Sequence, residues 1–179
     1  MKRMKVLLAA SGSFALFMLA GGLQADPVAA VAVAFSVTGT VQFASPESVS
    51  FKPLRVGQVL PVGSTVRTGD DGKVVLRTTP GSAVQVGDNS ILKITDLAFQ
   101  KSGGVVTQRK ARLELTSGVV NVLVDPSTPN VTDFKVQTPD GALVARGTYY
   151  TVMVKNGKTY ATVNEGKISA IAKPSRGSI

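Results

Sequence analysis

Short alternating apolar runs, broken by turn signals every eight to twelve residues, constrain this 179-residue chain more than any other feature. No window of about 12 residues places its apolar side chains at the 3.6-residue spacing of a helix. The mature region is rich in Val, Thr and Gly and poor in Leu and Glu. The expected fold is all-β: short antiparallel strands in a twisted sandwich or β-solenoid-like arrangement, after an N-terminal signal helix.

Turn chemistry sets the predicted strand limits. Val37–Phe43 reads as one strand, Pro46 to Pro53 as loop, and Val59-Leu60 as a short strand between Gly57 and Gly63. Asp70-Asp71-Gly72 and Thr79-Pro80-Gly81-Ser82 read as turns, the latter of type II, with Gly supplying a positive φ. Lys73–Arg77, Ala83–Val86 and Ile91–Thr95 are strands between such turns, and Lys101–Gly104 reads as the most flexible loop. Arg109–Leu115 and Val119–Val124 are expected to form a strand pair around Ser117-Gly118. Phe134–Gln137 and Leu143–Ala145 flank Thr138-Pro139-Asp140-Gly141. Asn156-Gly157, between Tyr149–Lys155 and Lys158–Val163, is the strongest hairpin signal in the chain. Glu165-Gly166 turns into Lys167–Ala172. A faint repeat is present: Thr79-Pro80 leads to Gly87 as Thr138-Pro139 leads to Gly147, and Ser117-Gly118 resembles Glu165-Gly166.

The first segment reads as an address. Met1–Lys5 carries three cations and no acid, Val6–Ala20 is mostly apolar, and small residues follow up to Ala25. That order is the pattern of a secretory signal peptide. Cleavage is placed after Ala25; Leu23 is large for its position, which leaves Ala29, Ala30 and Ala34 as other sites. The rival reading is an uncleaved anchor, for which the apolar run is short. The expected organisation is a signal peptide over 1–25, a linker over 26–36, a β domain over 37–172 and a disordered tail over 173–179. The expected location is periplasmic or extracellular in a bacterium.

Composition then removes most chemistry. The chain has no Cys, His or Trp, so disulfides, thiolate or imidazole metal sites and Ser-His-Asp or Cys-His dyads are excluded. A glycosidase needs two carboxylates converging on a cleft, and almost all 11 acids sit in turn contexts. No enzyme activity, cofactor or metal site is expected.

One ordered set of motifs goes beyond a generic β pattern. Leu60-Pro-Val-Gly-Ser-Thr-Val-Arg-Thr-Gly69 is followed by Asp71-Gly72, Pro80-Gly81-Ser82 and Leu113-Glu-Leu-Thr-Ser-Gly-Val-Val-Asn-Val122. Phe134-Lys-Val-Gln-Thr-Pro139, Val144-Ala-Arg-Gly-Thr148 and Thr162-Val-Asn-Glu-Gly166 complete it. In that order, residues 37–172 resemble the FecR-like domain family, named for the periplasmic part of the ferric-citrate regulator. The resemblance implies an extracytoplasmic all-β domain. In regulators of that family a cytoplasmic segment holds a sigma factor and the β domain senses an outer-membrane transporter. Here only five residues precede the apolar segment, so sigma-factor binding is not expected, and a stand-alone exported domain is.

Two groups are candidate contacts. Arg146, Gly147, Thr148 and Tyr149 form one: Arg146 can pair with a partner's carboxylate, or the group can be a structural bulge with Arg146 held by an acid such as Asp140. Arg109, Lys110 and Arg112 form a basic cluster, read as an anion-binding patch or as a solvated strand edge. Tyr150 shares a face with Val152 and Val154 and is expected in the core, with Tyr149 on the opposite face. No aromatic residue interleaves with the basic cluster, so nucleic acid is not an expected partner. Asp70, Asp71, Asp88 and Asn89 are turn residues without a calcium-loop spacing.

The functional expectation is a non-enzymatic binding or sensing module of the cell envelope, acting on an unidentified protein partner through strand edges. The alternative is a structural or adhesive surface protein that binds polysaccharide or self-assembles. The oligomeric state is left open.

Overall fold

Period-two alternation buries one face of each long strand. The computed structural model describes residues 28–173, and along β2 (Ala32–Thr38) Ala32 and Ala34 point into the core. A two-residue strand, β1 (Val28–Ala29), precedes it; β3 (Val41–Ala44), β4 (Lys52–Pro53) and β5 (Val59–Leu60) follow. β6 (Thr65–Thr68), β7 (Lys73–Thr79) and β8 (Ser82–Val86) lead to the two longest strands, β9 (Ile91–Ser102) and β10 (Val105–Val124). After a short 3-10 turn at Pro129–Val131 come β11 (Thr132–Gln137), β12 (Gly141–Ala145), β13 (Tyr149–Lys155), β14 (Lys158–Glu165) and β15 (Ile168–Ala172). The expected signal peptide, and the tail from Pro174 on, lie outside the described residues.

The strands make one curled, almost wholly antiparallel half-barrel, as the all-β expectation requires. β10 belongs to both of its layers. Its first part pairs with β9 and, in parallel, with β11; from Gly118 onward it pairs with β8 and β13. One layer runs β4-β3-β6-β9-β10-β11-β12-β15, with β1 also on β9; the other runs β5-β2-β7-β8-β10-β13-β14. Between them lies a single core. Leu92, Ile94, Leu113, Leu115 and Phe134 meet Leu76, Val84, Val120, Val122 and Tyr150 there, all essentially fully buried.

Three expectations are corrected. Ser117-Gly118 is not a hairpin turn between two strands but a bulge inside β10, with a register shift between Leu115 and Ser117. Its φ of +89° bends the strand from one layer to the other, the usual way a strand turns a corner. A small-polar–Gly pair reads alike in a turn and a bulge. Val37–Phe43 divides into β2 and β3 at Gly39-Thr40, where the chain also changes layer. The segment 26–36, expected as linker, holds β1 and most of β2; alanine carries little strand signal, so Ala32 and Ala34 hid the inward face.

The faint repeat has a structural counterpart. The Thr79-Pro80 and Thr138-Pro139 turns both close hairpins, β7–β8 and β11–β12. Each hairpin is followed by a change of layer, at Gly87 and Gly147, then by a second hairpin, β9–β10 or β13–β14. The second changes of layer fall at Gly118 and Gly166. The two units thus share one order with the layers exchanged.

Gly118 is the tightest of these corners. A Cβ there would lie 2.1 Å from Ser90 Oγ, whose hydroxyl bonds the β10 backbone: Val119 N–H donates to it at 2.9 Å. Gly157, at the Asn156-Gly157 hairpin tip, has a φ of +72° with open space around it. Gly157→Ala should therefore cost only the left-handed backbone, roughly 1–2 kcal/mol. Gly118→Ala adds the clash with Ser90 and should cost clearly more, measured by urea unfolding of the two variants side by side.

Candidate functional site

The outer face of the second layer carries an open concavity. It begins with a bulge in β2. Ala34 lies opposite Leu76 and Ser36 opposite Val75, so Phe35 is the extra residue and turns out to solvent, 54% exposed. The Arg77 guanidinium sits 3.9 Å from the Phe35 ring centroid, a cation–π contact that fixes both side chains. A second bulge in β7, at Thr78, precedes the Thr79–Ser82 turn. The loop before β5 closes another wall. Gly57 N–H donates to Ala34 C=O at 2.8 Å and holds exposed Val56 beside the bulge.

The floor comes from β8 and the second part of β10. Along β10, Val120, Val122 and Val124 point inward, which leaves Leu123 outward and 54% exposed. Together Val31, Phe35, Val56, Ala83, Leu123 and Pro126 give an open groove of about 1000 Å³, dominated by apolar side chains. Arg77 and Asp125 supply its charges. Burial of apolar surface is what such a groove offers a partner, at about 25 cal/mol per Å².

The Arg146–Tyr149 group borders this groove. Tyr149 lies opposite Leu123 in the β10–β13 pairing and is 41% exposed. Gly147 packs on groove residue Pro126: a Cβ there would lie 2.4 Å from Pro126 Cα, and its φ is +81°. Thr148 is buried and structural. Its N–H donates to Val124 C=O at 3.0 Å and its hydroxyl to Lys167 C=O at 2.9 Å. Arg146 is exposed at the corner. Asp140, expected as its internal partner, instead accepts a hydrogen bond from Thr159 N–H at 2.7 Å. Tyr150 is buried as expected, and burial holds its phenol neutral by pushing its pKa well above the ordinary value.

The basic cluster is distributed differently from its sequence spacing. Successive β10 residues alternate faces, so Arg109 and Lys110 diverge. Arg109 is buried and pairs with Asp125 at 3.4 Å; Lys110 pairs with Asp96; Arg112 pairs with Asp133 at 3.0 Å. Each cation therefore has an acid on a neighbouring segment, and the three form no free patch. The acids stand 14 to 21 residues away in the sequence, out of reach of local reading.

Arg109 and Asp125 tie the end of the groove together. Asp125 N–H donates to Gly81 C=O at 2.8 Å. Its carboxylate accepts from Ser127 N–H and Ser127 Oγ, each at 2.8 Å, and from Arg109. These bonds, the Ser127 backbone first, hold its pKa below the usual carboxylate value. A depressed carboxylate contributes stability above its unfolded pKa and loses it as the pH falls through the folded one. Asp125→Asn should thus be less stable than wild type near pH 7, and the difference should shrink only as the pH falls below about 3.8 toward the lower folded pKa. Urea unfolding at pH 7, 5 and 3 checks this. In the same assay Arg109→Ala should be the costliest of the three cation truncations, with Lys110→Ala and Arg112→Ala within about 1 kcal/mol of wild type.

The family model described as FecR protein matches residues 64–169, more than half of the chain. The matched stretch runs from just before β6 into β15 and includes Arg77, Leu123, Asp125 and the Arg146–Tyr149 corner. Phe35 and Val56 precede it. Comparison with curated proteins and with solved structures gives no match.

Proposed function

The chain belongs to the FecR protein family, and from that premise we propose that it is an exported, non-enzymatic binding module of the cell envelope, acting through protein–protein contact. The family points to a signalling or regulatory module. Export is supported by the basic, apolar, small-residue order of the first 25 residues. A non-catalytic role is supported by the absence of His and Cys from the sequence.

The observation that carries the reading is the groove beside Tyr149. Outward positions on β2 and β10 put Phe35 and Leu123 in water, where neither fills the core. A partner that presents an apolar segment fits this surface, with Arg77 and Asp125 as polar anchors. Electrostatic attachment to an anionic polymer is less well supported, because the cations of the β10 cluster are already paired.

The test is cross-linking of the tagged chain in its native envelope, followed by purification at low and high salt. One protein should be captured at both salts, because apolar contact is not screened. Phe35→Asp with Leu123→Asp should abolish capture, Arg146→Ala with Tyr149→Ala should weaken it, and Lys110→Ala should leave it unchanged. Thermal melts verify that the variants are folded. Capture that survives the groove substitutions, or that is lost only with salt, overturns the proposal.

A further inference from the structure

The two layers end differently at their two sides. At one side the edge strands are β4 and β5, each two residues long, and β4 ends on Pro53. Short strands and proline blunt an edge against further pairing. At the other side the edges are β14, eight residues, and β15, five residues. Between Lys158 and Glu165, β14 reads Thr-Tyr-Ala-Thr-Val-Asn; β15 reads Ile-Ser-Ala-Ile-Ala. Neither stretch contains a charge, Pro or Gly, and in β14 Thr159, Tyr160, Thr162 and Val163 are residues that suit strands.

The core also stops short at this side. Residues opposite one another in an antiparallel pair share a face. Ala161 is opposite buried Val152, and Ala170 is opposite buried Leu143, so both point to the inner face. Yet Ala161, Val163, Ala170 and Ala172 are exposed. Ala161 and Ala170 line one shallow cleft of about 230 Å³ between the ends of the layers. Thr159 closes one end of it, donating its N–H to Asp140 and hydrogen-bonding Thr138 Oγ1 at 2.8 Å. Among the described residues no strand lies beyond β14 or β15, and past the Asp140 contact at Thr159 the inner space of the fold opens to solvent between these two edges.

We propose that a second copy of this chain joins here, edge to edge, so that β14 of each copy pairs antiparallel with β14 of the other and the two cores become continuous. The edge is complementary to itself. Lys158 stands at one end of β14 and Asn164-Glu165 at the other, so antiparallel pairing brings each cation to the partner's acidic end. A two-fold axis at Ala161 sets Thr159 opposite Val163 of the partner subunit on the inner face and Tyr160 opposite Thr162 of the partner subunit on the outer. An aromatic facing a β-branched residue is a favourable cross-strand pair. Alanine stands near the middle of both edges, Ala161 in β14 and Ala170 in β15, so the smallest side chains meet where the copies approach most closely. A two-fold contact of this kind closes on itself and yields a dimer rather than a fibre.

The experiment is sedimentation equilibrium of the whole chain over a range of concentrations. Wild type is expected at twice the monomer mass at high concentration. Ala161→Lys with Ala170→Lys places inward charges at both edges and should return the mass to that of one chain. The melting profile extrapolated to low concentration should not move, because both positions are exposed in the single copy. The absence of native cysteine supplies a second readout. Ala161→Cys should be oxidised to a disulfide-linked dimer, whereas Lys52→Cys at the blunted side should not. A wild-type mass of one chain at all concentrations overturns the proposal, as does a dimer that ignores the lysine substitutions. Phe35→Asp with Leu123→Asp should leave the dimer intact, which separates this contact from the groove.

Discussion

The bend of β10 at Gly118 is the constraint on which the rest depends. One twenty-residue strand serves both layers, and it can do so only by passing through a positive φ at the point where Ser90 abuts it. Had Ser117-Gly118 been a hairpin turn, the two parts of β10 would have paired with each other. Instead they pair with four different strands. The parallel pairing of β10 with β11 follows from the same bend. Parallel neighbours need a long crossover, and the second part of β10 with the 3-10 turn provides it.

This arrangement also explains why the groove lies on the outer face of the second layer. Three inward valines of β10 fill the core, so Leu123 must face out. Bulges in β2 and β7 then break the regular alternation and add Phe35 and the Thr79–Ser82 turn around it. The Arg109–Asp125 pair anchors the connection that follows β10, fixing Pro126 against Gly147. A small number of irregularities, each forced by the course of one strand, thus builds both the groove and its Tyr149 border.

Much of this was legible in the residues. The turn at Asn156-Gly157 has both residues at positive φ, as its type requires, and Gly81 takes the positive φ that its Pro-Gly turn implies. The opposite faces of Tyr149 and Tyr150 followed from counting by two. The groove was legible only at its border. Phe35 is outward in step with inward Ala32 and Ala34, and the one-residue bulge puts it out of step with Val37, a change of parity that does not mark the sequence. The basic cluster misled for a related reason: spacing along β10 placed three cations close together, but their acids come from β9, β11 and the β10–β11 connection.

The sequence by itself determined the class of fold, most of the turn positions and, within unbroken strands, which residues face inward, because backbone sterics and side-chain alternation act within a few residues. Its ordered glycine and proline motifs also identified the family. Tertiary structure alone decided which strands are neighbours, where one strand changes layer, which cations are neutralised and which edges stay open. Those depend on pairing between distant segments, and a period-two pattern carries no label for the strand that will lie beside it.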